Sequence, residues 1–346
     1  MRLATLPNGT RDGRLVVVSA DQTRAAYVPG CPTLQAALDD WTAALPPLQA
    51  ASLAVEQGGI AFDPAQSLAP LPRAYQWLDG SAYLNHGRQM QQAFNLPPND
   101  EAIPLMYQGG SDDFSGPHAP AHFPDPAHGI DFEAEFGVVL DDVPMGTSAA
   151  NALTHICLIV LLNDWSLRAL APREMKAGFG FLQAKPATVF APLAVTPGAL
   201  HGAFRGGRLH LTMQVALNGV RFGHLDASLM DHDFGTLIAF AARTRHLRAG
   251  TIIGSGTVSN PDRAAGSGCL QERRVIQIID HGTATIPFMT AGDSVDITAL
   301  AADGSQPFGT IRQTVTTGQN DVQPFPHQLC LEPVAEPRAG NGGQDQ

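Results

Sequence analysis

The segment that most constrains this chain is Gly129-Ile-Asp-Phe-Glu-Ala-Glu-Phe-Gly-Val-Val-Leu140. Between Ile130 and Phe136 apolar and acidic residues alternate strictly. A period of two belongs to a strand, with Ile130, Phe132, Ala134 and Phe136 on one face and Asp131, Glu133 and Glu135 on the other. Same-face neighbours stand two strand rises apart, about 6.6 Å. Carboxylates that close beside an apolar face repel one another unless a cation neutralises them. Oxygen ligands favour hard divalent ions, Mg²⁺ first, with Ca²⁺ or Mn²⁺ as alternatives. The competing reading is a half-exposed strand with a solvated acidic face.

The rest of the chain predicts a strand-rich protein. With 35 Gly and 27 Pro among 346 residues, turns are frequent, yet 44% hydrophobic residues leave ample core. Length sets a prior of about two domains. Residues 1–30 read as strands, with Asn8-Gly9 and Asp12-Gly13 as turns before Leu15-Val-Val-Val-Ser. Residues 33–53 read as a helix opened by Thr33 and ended or interrupted at Pro46-Pro47. Short strands and loops follow to residue 75, where a small N-terminal domain is expected to end. Beyond it, 96–129 reads as a long loop, 148–170 and 234–246 as helices, and 208–217, 274–281 and 294–300 as strands. The polar stretch 334–346 reads as a mobile tail. Strands and helices do not alternate regularly, so the expected class is α+β, β-rich, and not a doubly wound sheet.

A net charge of −11 argues against nucleic acid as a partner. Cys31, Cys157, Cys269 and Cys330 show neither CxxC spacing nor scaffold density, and read as reduced thiols. The N-terminus lacks the apolar core of a signal peptide, and the longest apolar run, Ile156 to Leu162, is too short for a membrane span. A cytoplasmic protein without a membrane partner is the expectation. Of 21 basic residues only Lys176 and Lys185 are lysine. A retained lysine marks a position where a compact, titratable charge is a candidate requirement, with a plain surface lysine as the alternative.

Two further acidic pieces stand out. Asn163-Asp164 directly follows the run Ile156 to Leu162, and a buried Asp there needs hydrogen bonds, a cation or a metal. Capping of a following helical turn is the alternative. Arg168 lies four residues on, on the same face if a helix continues. Gly110-Ser-Asp-Asp113-Phe-Ser-Gly-Pro-His118 sets a carboxylate and a histidine in one turn, a pattern that surface loops also show.

Taken in order, Asp113-Phe114, Glu133-x-Glu135, Asn163-Asp164-Trp165-Ser166-x-Arg168, Phe181-Leu-Gln-Ala-Lys185 and Gly254-Ser-Gly-Thr257-Val-Ser resemble the fumarylacetoacetate hydrolase family. The resemblance covers roughly residues 76–332. It implies a mixed β-roll catalytic domain over 76–333, preceded by a small N-terminal domain over 1–75, a homodimer, and a divalent metal. The metal ligands it implies are Asp113, Glu133, Glu135 and Asp164, with Lys185 beside them. His118 would activate water, oriented by Glu272, and Arg168, Thr257 and Lys185 would bind substrate. There are departures. Asp113 and His118 are five residues apart where fumarylacetoacetase has seven, which makes His122 the fallback. Val189 stands four residues after Lys185 where the family often has Thr, with Thr188 one earlier. Ala171 stands where fumarylacetoacetase has Gln.

The implied reaction is hydrolysis of a C–C bond in a 1,3-diketo acid, fumarylacetoacetate or a related acylpyruvate, through a metal-chelated enolate and water activated by His118. Decarboxylation or isomerisation of an oxo acid on the same scaffold is the runner-up. A non-catalytic small-molecule binder would need a broken ligand set. A dinucleotide enzyme lacks its loop, since Ser259 stands where the third Gly of G-x-G-x-x-G belongs.

Overall fold

A computed structural model describes residues 1–318. The expected tail, residues 319–333 of the expected second domain and Cys330 lie outside the described residues. The fold is mixed α and β and strand-rich. One large sheet runs in the spatial order Ile60–Ala61, Arg24–Tyr27, Arg14–Val18, Arg2–Leu6, Ala194–Val195, Ile156–Asn163, Ala134–Leu140, Ile252–Gly254, Trp77–Gly80 and Met106–Gly109, with Val189–Phe190 pairing off this path. A five-stranded sheet runs Val220–Asp226, Thr212–Leu217, Ser294–Leu300, Thr310–Thr317 and Ala121–Phe123. No helix among the described residues is long and apolar enough to cross a membrane.

The strand Ile156–Asn163 explains the longest apolar run. Ile156, Ile159 and Leu161 enter the main core, while Cys157, Leu158, Val160 and Leu162 enter a second core shared with Leu3, Leu15, Leu34 and Leu48 of the N-terminal region. A strand packed on both faces reads as continuous hydrophobicity and loses its period of two. This corrects the helix expected over 148–170: only Ala149–Ala152 is α-helical there. The N-terminal strands extend the large sheet, since Arg2 and Leu3 pair with Val195 and Ala194.

The expected strand 274–281 is instead part of the helix Leu270–His281, which ends on Gly282 at φ +78°. A left-handed residue is the usual helix stop, and glycine adopts it without strain. The helix expected over 33–53 is two helices, Leu34–Leu38 capped by Thr33 and Trp41–Ala54 capped by Asp40. Pro46 and Pro47 lie inside the second, which Ala44, Leu48 and Ala51 hold by burial. The expected helix at 234–246 is Phe234–Ala241. Within the expected loop 96–129 lie the strands Met106–Gly109 and Ala121–Phe123.

Candidate active site

The alternating segment is buried on both faces, because every residue from Ile130 to Leu140 is buried. That removes the solvated-face reading. Glu135 stands opposite Leu162 in the register between Ala134–Leu140 and Ile156–Asn163, beside the end of the strand where Asp164 follows. Asp79 comes from Trp77–Gly80, two strands over, in parallel register with Gly254. One oxygen from each of Asp79, Glu135 and Asp164 lies within 4.8 Å of the others. Gly254 is required there: a Cβ would meet Asp79 Oδ1 at 2.3 Å and the Trp77 ring at 2.4 Å.

Both carboxylate oxygens of Glu135 are buried without a hydrogen-bond donor. Burial, then the charges of Asp79 and Asp164, pushes its pKa well above the ordinary carboxylate value. Burial and then Asp164 push Asp79 up to about 8. Three oxygen donors with an orphaned carboxylate among them fit a hard divalent cation, which supplies the missing positive charge. Asp164 is held in place by Thr188 Oγ1 at 2.9 Å, by Lys185 Nζ at 2.6 Å and by the Tyr107 hydroxyl. Its backbone N–H donates to the Glu133 carbonyl, and Asn163 Oδ1 accepts the Glu133 N–H. Asn163-Asp164 therefore locks two strands together and caps no helix.

Glu133 stands beside this cluster in a different state. Its Oε1 accepts from Ser166 Oγ at 2.6 Å and Lys185 Nζ at 2.8 Å and lies 3.0 Å from Arg168 Nη2; Thr257 donates to its Oε2. Burial opposes its charge, but Arg168 and Lys185 outweigh burial and hold it well below the ordinary range. Lys185 is likewise raised, Asp164 and Glu133 overcoming burial. Arg168 also binds Asp131 Oδ2 at 2.8 Å, and Asp131 accepts the N–H groups of Leu270 and Gln271 at the start of the helix Leu270–His281.

That helix carries Glu272, fully buried, and its partner is His86: Nδ1 lies 2.9 Å from Glu272 Oε2. His86 rides on the helix Leu84–Phe94, just beyond the strand that carries Asp79. Asn85 Nδ2 fastens the helix to Ser259 Oγ at 2.8 Å and to the Asn260 carbonyl at 3.0 Å.

Two expected site residues are therefore relocated. Asp113 is exposed and lines a surface cavity with Arg11 and Arg73; Asp79 occupies the cluster instead. His118 sits in the turn after Gly116 and does not pair with Glu272; that partner is His86. The fallback His122, the exposed residue of the strand Ala121–Phe123, faces Thr316 Oγ1 and the Gly318 carbonyl. The signal was present: Asp79 and His86 are seven residues apart, the interval of the fumarylacetoacetase pattern. Glu135, Asp164, Glu133, Lys185, Arg168 and Thr257 are brought together. Tyr107 and the stand-in role of Thr188 were not foreseen.

Residues 76–316 match the family model described as Fumarylacetoacetate (FAA) hydrolase C-terminal, and residues 1–73 match Fumarylacetoacetase N-terminal domain 2. Protein Rv2993c of Mycobacterium tuberculosis is 25% identical over 219 residues, 63% of this chain and 76% of that protein. Among solved structures, maleylpyruvate hydrolase from Sphingobium sp. SYK-6 in complex with manganese (II) ion and pyruvate superposes with a TM-score of 0.64 at 19% identity, over 92% of this chain and 100% of that one. The 5-carboxymethyl-2-hydroxymuconate delta-isomerase from Mycobacterium smegmatis superposes with a TM-score of 0.58 at 18% identity, over the same shares.

Proposed function

The chain belongs to the fumarylacetoacetate hydrolase family, and from that premise we propose that it is a divalent-cation-dependent hydrolase of a 1,3-diketo acid, fumarylacetoacetate or a related acylpyruvate. The observation that carries this reading is Glu135: a buried carboxylate with no donor, clustered with Asp79 and Asp164. A divalent ion held by these residues, Mg²⁺ first, supplies Lewis-acid stabilisation of negative charge on oxygen.

The protein's own groups do the rest. Glu272 fixes His86 with Nδ1 toward the carboxylate, which leaves Nε2 as the proton acceptor. Nε2 takes a proton from water as its oxygen adds to the outer carbonyl carbon, and buried Glu272 stabilises the imidazolium. The carbon–carbon bond breaks, its electron pair passing into the enolate of the departing ketone. His86 then returns the proton to that carbon. Lys185 and Arg168 stabilise charge on substrate oxygens, and Thr257 supplies a hydroxyl to the same site. Glu272 acts here as a positioning residue.

Isomerisation or decarboxylation of an oxo acid is the second reading, supported by the isomerase among the structural relatives. It needs no nucleophilic water. The test is a panel of fumarylacetoacetate, fumarylpyruvate, acetylpyruvate and oxaloacetate with Mg²⁺ and with EDTA, on wild type and His86→Ala. Loss of diketone absorbance with stoichiometric acid release, abolished in His86→Ala, supports hydrolysis. CO₂ release, or turnover that survives His86→Ala, supports the second reading. The same proposal includes a homodimer in the cytoplasm, in keeping with three buried free thiols at Cys31, Cys157 and Cys269.

A further inference from the structure

Asp131 is a fully buried carboxylate with no step of its own in the reaction above, yet it touches both halves of the site. The short strand Ile130–Asp131 pairs with Ser166–Leu167, with Asp131 opposite Ser166. Arg168 follows directly, its backbone N–H donating to the Gly129 carbonyl at 2.9 Å. Its Nε donates to Asp131 Oδ2 at 2.8 Å, and its Nη2 lies 3.0 Å from Glu133 Oε1. Two nitrogens held in this way fix the plane of the guanidinium.

The same carboxylate reaches a helix 139 residues further along the chain. Asp131 Oδ1 accepts the Leu270 N–H at 2.7 Å, and Oδ2 accepts that of Gln271 at 2.9 Å. These are the first two residues of the helix Leu270–His281, and Glu272, the partner of His86, is the third. The helix has a local cap in Cys269, whose Sγ accepts the Glu272 N–H at 3.4 Å. Sulfur is a weak acceptor. A buried carboxylate is a strong one, and the helix N-terminus favours its charge. Asp131 thus sets the height and rotation of the turn from which Glu272 projects. An antiparallel bridge between Glu133 and Cys269 holds the two segments side by side.

Three donors converge on two oxygens. In Asp131→Asn one oxygen becomes an NH₂ group that faces at least one of those donors, and Arg168 loses a full counter-charge. The side chain keeps its shape while the contacts that orient its neighbours fail.

We propose that Asp131 is a positioning residue for the reaction, one carboxylate that orients the Arg168 guanidinium and, through the helix and Glu272, sets His86. Charge stabilisation and base placement are then linked at a single group. This rests on the hydrolase reading above and deepens it.

The test uses the full chain with Mg²⁺ and the diketo acid that wild type cleaves fastest. Wild type, Asp131→Asn, Arg168→Gln and the double variant are compared by steady-state kinetics. Nitrogen NMR of ring-labelled histidine reports the His86 tautomer without substrate, the His86 signals being assigned by their loss in His86→Ala. Asp131→Asn is expected to lower kcat/KM by about 10²-fold, with a higher KM and a lower kcat, the scale of a misplacement of about 1 Å. Its His86 signals should change from a single Nδ1–H form to a mixture of tautomers. The loss in the double variant should fall at least about 5-fold short of the product of the single losses, because both act through Arg168. A carboxylate that served stability alone would lower the melting temperature and leave kcat, KM and the His86 signals at wild-type values. That result overturns the inference, as does a double variant equal to the product. If Asp131→Asn does not fold, Arg168→Gln decides: His86 signals that change in it support the link, and unchanged signals overturn it. If wild type cleaves no diketo acid while Asp131→Asn still releases the His86 tautomer, the hydrolase reading falls and the positioning role stands.

Discussion

Glu133 and Glu135 are two residues apart and both are buried, Glu133 at an isolated bridge to Cys269 just before the strand Ala134–Leu140 and Glu135 within that strand, yet they occupy opposite electrostatic states. Glu133 is saturated by Lys185, Arg168, Ser166 and Thr257, and its proton affinity is depressed. Glu135 has no donor at all, faces two further carboxylates, and its proton affinity is raised. The protein supplies fixed cations to the first and none to the second. A carboxylate buried in that way stays charged only when a mobile cation arrives.

This contrast can be broken most directly at Glu135. Glu135→Gln should lower Mg²⁺-dependent turnover by at least about 10³-fold, beyond the roughly 10–100-fold typical of a residue that only supports a ligand. Its melting temperature in EDTA should hold or rise, because a repelled carboxylate has been removed. Steady-state kinetics and calorimetric melting check the two halves. Glu133→Gln should do the reverse to stability. It leaves Lys185 and Arg168 under-compensated, and the expected loss is about 3–5 kcal/mol by denaturant unfolding in EDTA.

The contrast also predicts a pH dependence. Glu135 and Asp79 have pKa values raised above their unfolded values, Asp79 to about 8. Between the unfolded carboxylate range and that value the folded state binds more protons, so stability in EDTA falls as pH rises through this window. The slope is at most about 1.4 kcal/mol per pH unit for each group. Mg²⁺ should flatten the decline, so the melting shift it causes grows from pH 6 to pH 8. A shift independent of pH would remove the raised carboxylates from the binding site. The smallest effect is expected from Thr188→Val, which removes the donor to Asp164 Oδ1 and should weaken Mg²⁺ about 10-fold by titration calorimetry.

Much of this site was legible in the chain. The alternation around Glu133 and Glu135 named extended chain and an acidic cluster, though the structure divides that stretch between the strands Ile130–Asp131 and Ala134–Leu140 of different sheets, and Asn163-Asp164 after an apolar run named a buried acid. Asp79 was not legible by pattern, because Trp77–Gly80 is a four-residue strand, too short for a period to show. Its link to His86 lay in spacing alone, and a nearer Asp-His pair in a Gly/Pro-rich loop drew the assignment to Asp113 and His118. The strand Ile156–Asn163 and the helix Leu270–His281 were exchanged in type for related reasons. Burial on both faces erased the period of the first. In the second, Val275 and Ile276 gave a short β-branched stretch strand character, while the glycine stop at 282 went unread.

The pairing of Arg2 and Leu3 with Val195 and Ala194 has a mechanical consequence. Val195 also pairs with Ile159, inside the strand Ile156–Asn163 that directly precedes Asp164, so the first strand of the chain splints the one that delivers a site carboxylate. Severing the chain near residue 75 would bare the backbone edge at 194–195 and strip cover from Leu158, Val160 and Leu162. Sticky β edges recruit other chains. Residues 1–75 thus behave as a brace for the chemistry, and a fragment that keeps every proposed site residue should still come out of solution before it could work.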